Sequence, residues 1–227
     1  MFSVFYALVL LLPFSVEASS YIETETYTTK SIEGFSLYIS PEAGQHAEKM
    51  GVLLGEISKQ LRYIKAALPG AALDALIKVP FWVEWTDSKF PGAVFHPSAK
   101  WLVDNGYNPD KAGGIQISSV NRFIDSSKRN VTTVLLHELS HAYHHSVLGI
   151  RNISVINAYE NARRSGLYAS VPYYKGFNVK AYALKNKSEY FAEISEAYFG
   201  KNDYYPFNRL ELREYDPVGY KLMTQMW

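Results

Sequence analysis

The pattern of apolar and polar residues predicts strands mainly in the first half of the chain and helices mainly in the second. Phe35–Ile39 alternates like a strand and is followed by Pro41. Apolar residues then recur at helical spacing from Met50 to Leu68, and Pro69-Gly70 ends that helix. The other predicted strands are Lys78–Trp85, Ala93–His96 and Gly113–Ser118, and the other predicted helices are Val131–Leu148, Ile153–Ser165, Lys187–Phe199 and Pro217–Met226. This order favours one α+β domain, with a small N-terminal mixed sheet and C-terminal helices.

The N-terminal segment has the features of a secretory signal peptide. Phe2–Phe14 is almost continuously apolar, but it is shorter than the roughly 20 residues that a membrane span needs. Val16-Glu17-Ala18 resembles a cleavage site, although no Lys or Arg precedes the apolar run, and a buried N-terminal strand or helix is the alternative. We expect a signal peptide over residues 1–18, a loose lead-in over 19–34, a catalytic domain over 35–227, no later membrane span, and secretion.

Composition narrows the possible functions. Of the 227 residues, 48% are hydrophobic and 15% are aromatic, which is typical of a chain with a substantial core. The net charge of +1 gives no indication of nucleic-acid binding. The chain has no cysteine, which excludes disulfides, cysteine-ligated metals and a thiol nucleophile. Three sequons, at Asn130, Asn152 and Asn186, would carry glycans only in a eukaryotic secretory route.

The chemistry is concentrated in a His-Glu-x-x-His motif. His137 and His141 lie four residues apart, so on a helix both imidazoles face the same side and can bind one metal ion. Glu138 lies beside them, where its carboxylate could take the proton of a water that zinc acidifies to a pKa of about 7. Apart from Glu138, no charged residue lies between Val131 and Leu148, as a buried active-site helix requires.

Chance produces this motif in roughly one chain per hundred of this composition. The alternative is therefore a helix that is merely rich in histidine, with His144 and His145 as further examples. A catalytic zinc usually has three protein ligands, so a third must come from elsewhere in the chain.

Glu189 and Glu193 are the strongest candidates for completing the site. They lie four residues apart on the predicted helix Lys187–Phe199, beside an aromatic surface that favours burial. One carboxylate could bind zinc while the other accepts the free ring N–H of a ligating histidine. Alternatively, Asn186 and Glu189 form a capping box and Glu193 is solvated. Spacing alone does not decide between these interpretations.

The two motifs together resemble the anthrax lethal-factor-like branch of the gluzincin peptidases. The resemblance covers approximately residues 131–199 and rests on His-Glu-x-x-His, on Glu-Tyr-Phe-Ala-Glu some 48 residues later, and on a tyrosine seven residues before its first Glu. It implies a zincin-type domain in which His137, His141 and Glu189 bind one Zn²⁺. It also implies that Glu138 is the general base, that Tyr182 assists at the oxyanion or leaving group, and that Glu193 supports the site; Tyr173, Tyr174 and Tyr190 are competitors for the tyrosine's role.

Zincin folds also bind an extended substrate along an edge strand upstream of the metal helix. The resemblance assigns that role to Gly114, Ile115, Gln116 and Ile117, where an exposed edge would offer backbone hydrogen bonds to a peptide. An ordinary sheet edge explains the same residues. We therefore expect a secreted zinc endopeptidase acting on peptide or protein substrates. The alternatives are a zinc hydrolase of a non-protein amide such as a cell-wall linkage, and a secreted binding module that keeps the metal without turnover.

Overall fold

One mixed sheet of five strands dominates the first half of the chain. The computed structural model describes residues 21–85, 92–128 and 134–227. The strands are β1 (Thr28–Ile32), β2 (Phe35–Ile39), β3 (Phe81–Val83), β4 (Ala93–Phe95) and β5 (Ile115–Ile117). Their spatial order is β1-β2-β3-β5-β4, with antiparallel pairs at the two sides and parallel pairs between β2, β3 and β5. A separate short hairpin joins β6 (Val171–Pro172) and β7 (Asn178–Val179).

Helices occupy most of the remaining described residues. They are α1 (Pro41–Gly44), α2 (Ala47–Ala67), α3 (Gly70–Leu76), α4 (Ala99–Asp104), α5 (Val120–Lys128), α6 (Val134–Tyr143), α7 (Ile153–Arg164), α8 (Lys187–Phe199), α9 (Arg209–Tyr215) and α10 (Pro217–Met226). Short 3₁₀ turns lie at Thr24–Thr26, Pro109–Lys111 and Tyr182–Leu184, and a π-helix continues α6 over His144–Gly149.

The apolar residues of β2 recur at strand spacing and those of α2 at helical spacing, and both sets pack into one core cluster. Alternate residues of β2 are buried, beginning with Phe35 and Leu37. The buried side chains of α2 recur every three or four residues, as expected for a helix with one apolar face. Leu68 has an extended backbone conformation immediately before Pro69, and α2 ends there.

Helices α6 and α8 pack against each other in the centre of the second half. Leu135, Leu136 and Leu139 of α6 are fully buried, and Glu189 to Tyr198 of α8 are all buried. Asn186 caps α8, because its side-chain oxygen accepts hydrogen bonds from the backbone N–H groups of the two residues that precede Tyr190. The His-Glu-x-x-His motif and its predicted partner helix therefore lie side by side.

The C-terminal helix fixes both of these helices. Asp216 caps α10 through Gly219 N at 2.8 Å. The same carboxylate accepts hydrogen bonds from the hydroxyls of Tyr190, at 2.6 Å, and Tyr168, at 3.0 Å. On α6, the hydroxyl of Tyr143 donates to the carbonyl of Met226 at 2.9 Å. The orientation of α8 relative to α6 is thus held by polar contacts as well as by packing.

The predicted α+β class is confirmed, with some differences in detail. The helices Lys187–Phe199 and Pro217–Met226 have the predicted bounds. Helix α2 begins at Ala47, before the predicted Met50, and the other predicted helices and strands appear at or within their bounds, as far as the described residues reach. Helices α1, α3, α4, α5 and α9 were not predicted, because they are short or rich in polar residues. The segment predicted as a loose lead-in contains β1, whose residues are mostly exposed on both faces and so lack apolar alternation.

The predicted substrate-binding edge is wrong. Gly114 to Ile117 were expected at an exposed edge, but β5 lies between β3 and β4 and its three residues are fully buried. Gly114 itself leaves no room for a side chain, since an added Cβ would lie 2.9 Å from the indole nitrogen of Trp82. The edges of the sheet are β1 and β4. Strand order depends on pairing between distant segments, which local patterns do not encode.

The predicted signal peptide, residues 1–18, and Asn130 lie outside the described residues. In the described part of the chain, no helix combines the length and the apolar character required to cross a membrane. The two remaining sequon asparagines, Asn152 and Asn186, are the N-caps of α7 and α8.

Candidate metal centre

The three predicted metal ligands lie together at the junction of α6 and α8. The Nε2 atoms of His137 and His141 are 3.1 Å apart. One carboxylate oxygen of Glu189, Oε2, lies 3.0 Å from Nε2 of His141 and 3.3 Å from Nε2 of His137. The helical spacing of the two histidines and the start of α8 therefore bring three potential donor atoms into one small triangle.

This donor set fits a zinc ion. Zinc binds imidazole nitrogen and carboxylate oxygen at about 2.0–2.2 Å with tetrahedral geometry, which separates neighbouring ligand atoms by roughly 3.3–3.5 Å. The three separations of 3.0, 3.1 and 3.3 Å need to lengthen only slightly to meet that requirement. Two histidines and one carboxylate are also a usual protein ligand set for a catalytic zinc, which keeps a further position for water or substrate.

The free ring nitrogen of His137 contacts a carboxylate that the sequence did not identify. Nδ1 of His137 lies 2.9 Å from Oε2 of Glu196, but 3.9 Å from the nearer oxygen of Glu193. Both glutamates are buried. The supporting role predicted for Glu193 therefore belongs more directly to Glu196, three residues further along α8. The helical spacing of 189, 193 and 196 was a signal that could have indicated it.

The electrostatics of this cluster favour a cation. Burial lowers the pKa of His137, but the carboxylates of Glu196 and Glu189 outweigh that effect and raise it well above the usual value. Burial raises the pKa of Glu193, and the neighbouring Glu196 raises it further. Although burial raises the pKa of Glu189, its contacts with His137 and His141 lower it overall. The negative potential that favours a proton on His137 equally favours a divalent ion.

Glu138 lines the same cavity as the three predicted ligands and also contacts strand β4. Its Oε2 accepts a hydrogen bond from the backbone N–H of Phe95 at 2.8 Å. Burial raises the pKa of this carboxyl, partly offset by His137 and His141. A carboxylate with a raised pKa, held beside the ligand cluster, has the protonation behaviour expected of a general base.

Tyr182 lies at the same cavity, together with a lysine that the sequence did not suggest. The ring centroids of Tyr182 and His137 are 6.4 Å apart. The hydroxyl oxygen of Tyr182 accepts a hydrogen bond from Nζ of Lys185 at 2.6 Å, and the same Nζ lies 3.3 Å from Oε1 of Glu189. Lys185 therefore links the tyrosine to the carboxylate, and its spacing of three and four residues from them was the available signal.

The competing tyrosines occupy other positions. Tyr190 is fully buried and donates its hydroxyl to Asp216, so it does not face the cavity. Tyr173 and Tyr174 pack on each other near the β6–β7 hairpin. Among these tyrosines, only Tyr182 lines the metal-site cavity.

The cavity above the ligands has a volume of about 510 Å³, within the range of roughly 300–1,000 Å³ found for ligand sites. Its walls include the ligand triad, Glu138, Tyr182 and Lys185. One side is formed by Ala93, Val94 and Phe95, so β4 and not β5 borders the site. His145 also lines the cavity, whereas His144 is fully buried and its ring packs against Phe191.

Comparison of the chain with protein-family models, curated proteins and solved structures gives no match. The assignment of function therefore depends on the site itself.

Proposed function

We propose that this protein is a secreted zinc-dependent endopeptidase of the zincin type. The observation that carries the proposal is the triangle of donor atoms from His137, His141 and Glu189, with Glu138 at the same cavity. The resemblance of the two motifs to the lethal-factor-like gluzincins is consistent with it. A bound zinc ion would supply Lewis acidity at the cavity.

Glu138 and Tyr182 would then have separate roles in hydrolysis. Glu138 would take the proton of the attacking water and pass it to the leaving amine, as a general base and then a general acid. Tyr182 would donate a hydrogen bond to the carbonyl oxygen as negative charge develops on it. Because the tyrosine oxygen already accepts a hydrogen bond from Lys185, its own proton remains available for that donation.

The edge strand β4 is suited to hold an extended peptide. In its antiparallel pairing with β5, Val94 and His96 direct their backbone groups inward, so Ala93 and Phe95 direct theirs outward. The outward N–H of Phe95 bonds to Glu138, which places this edge directly beside the proposed base. A peptide that pairs with β4 would therefore bring its backbone to the cavity.

The test compares Glu138→Gln with wild type and with Glu214→Gln, a matched change on the exposed face of α9. Wild type should bind about one zinc ion and cleave members of a peptide library. Glu138→Gln should keep zinc but lose at least the roughly 10²–10⁴-fold that a general base contributes, and Glu214→Gln should match wild type. Near-normal cleavage by zinc-loaded Glu138→Gln would contradict the proposal. A parallel digest of peptidoglycan distinguishes a peptidase from a cell-wall amidase.

A further inference from the structure

A second cavity continues the metal-site cavity on the side of α7. It has a volume of about 540 Å³ and lies between α7 and the N-terminal turn of α8. Ile150, Lys185, Ser188 and Glu189 line both cavities, so the two form one continuous groove. Because Glu189 is one of the three proposed ligands, a substrate that crosses the metal site could extend directly into this second part, which we call the α7 groove.

The floor of the α7 groove is apolar. Ile150, Ile156 and Tyr159 line it, and 40% of Ile150 is exposed. Tyr159 contributes its ring and not its hydroxyl, which donates to the carbonyl of Leu184 at 3.3 Å. Gly149 has a φ of 81°, so the π-helix ends in a turn that directs the chain to Ile150 at the junction of the two cavities.

Several of the polar side chains that line the groove already have partners within the protein. The oxygen of Asn186 accepts hydrogen bonds from the backbone of α8, and Nζ of Lys185 contacts Tyr182 and Glu189. Glu160 pairs with Arg163 at 2.8 Å. A ligand in the groove would therefore gain most from apolar contact.

We propose that the α7 groove is a specificity subsite that receives a large apolar side chain of the substrate, next to the bond that is cleaved. This inference rests on the proposed peptidase function and adds the substrate class: peptides with leucine-like or phenylalanine-like residues on that side of the cleaved bond. Ile156 is the specificity-determining residue, because it lines the α7 groove but not the metal-site cavity.

The test uses zinc-loaded wild type, Ile156→Gln and the matched control Ile153→Gln. Ile153 lies one turn earlier on α7, is 65% exposed and lines neither cavity. The substrates are internally quenched alanine octapeptides that carry one leucine at each position in turn. Apolar contacts in a binding pocket discriminate by roughly 10–200-fold. We expect wild type to prefer one leucine position by at least about tenfold. Ile156→Gln should remove that preference, whereas Ile153→Gln should keep both the preference and the wild-type rate on the all-alanine peptide.

A binding measurement separates this inference from the proposed function. Zinc-loaded Glu138→Gln should bind the preferred leucine peptide, and adding Ile156→Gln should raise its Kd by about tenfold. Binding of this kind without cleavage by wild type would refute the peptidase and leave the subsite standing. The subsite is refuted if no octapeptide binds, if wild type treats leucine and alanine alike, or if Ile153→Gln and Ile156→Gln have equal effects.

Discussion

Asp216 should be one of the most important polar residues for stability, although it lies outside the metal site. Its carboxylate is fully buried and accepts three hydrogen bonds, from Tyr168, Tyr190 and the backbone of Gly219. Replacement by alanine leaves two buried hydroxyls and one helix N-terminus without their acceptor. Burial and the negative charge of Asp216 both raise the pKa of each tyrosine well above its usual value. Both phenols are therefore protonated in the wild type and donate to Asp216.

The expected loss of unfolding free energy follows from these three hydrogen bonds. A hydrogen bond to a charged group contributes about 1.5–3 kcal/mol, and an N-cap contributes about 1 kcal/mol. Each buried donor left without an acceptor costs about 1–3 kcal/mol, and removing the carboxylate also removes its own burial cost, so the net loss should be about 3–5 kcal/mol. At roughly 2–4 °C per kcal/mol for a chain of this size, Tm should fall by about 6–20 °C.

Chemical denaturation of Asp216→Ala, Asp216→Asn and the control Asp125→Ala measures this loss. Asp125 is exposed on α5, so its replacement should change the unfolding free energy by less than about 0.5 kcal/mol. Asp216→Asn should have an intermediate effect, since its oxygen can keep the bond to Gly219. A loss below about 1 kcal/mol for Asp216→Ala would refute the reasoning, because it would mean that the two hydroxyls find other partners.

Three further predictions concern the metal site and the processing of the chain. Glu196→Gln should weaken zinc binding by about 10–100-fold in a competition assay with a chelator, and a larger effect from Glu193→Gln would reverse their roles. Tyr182→Phe should lower kcat by about 10²–10³-fold with KM little changed, and full activity would remove the tyrosine from the mechanism. N-terminal sequencing of the exported protein should begin near Ser19, and finding Met1 on folded, cell-retained protein would contradict export.

The pH dependence of stability provides a further prediction, centred on His144. Burial lowers its pKa to about 4 from an ordinary value of 6.5. The unfolded chain therefore binds a proton more readily than the folded protein between these two values. Stability should be complete above pH 6.5, fall as the pH drops toward 4, and lose about 3 kcal/mol from this residue in all. Because leucine does not titrate, wild type should lose about 3 kcal/mol of unfolding free energy relative to His144→Leu between pH 6.5 and pH 4. Parallel pH profiles of the two proteins would refute the assignment.

Local sequence signals were enough to predict which three residues come together in the candidate metal site. The His-Glu-x-x-His spacing is a property of one helix, and the cap at Asn186 defines where α8 starts and hence where Glu189 points. The choice between Glu193 and Glu196 was not accessible in this way. Both residues lie on the same face of α8 as Glu189. Which of them contacts His137 depends on the angle at which α6 and α8 cross, and local sequence does not determine that angle.

The sheet was predicted less well, for a related reason. Strands β3 and β5 are only three residues long and entirely buried, so they lack the alternation that distinguishes an edge from an interior strand. The glycines before β5 suggested an accessible backbone. In the folded protein, the absence of a side chain at Gly114 instead leaves room for the indole of Trp82. The glycine therefore permits packing within the protein and does not indicate a substrate site.

The charge of the buried cluster is the strongest physical argument for a metal ion. Glu138, Glu189, Glu193 and Glu196 surround the imidazole of His137, and all four carboxyl groups are buried. Grouping these carboxyl groups around one imidazole produces an excess of negative potential there, and buried carboxylates are costly unless cations lie close to them. A purely structural helix pair would be more stable with apolar residues at these positions. A divalent cation bound by the donor triad offsets the excess, so zinc should raise Tm and chelation should lower it.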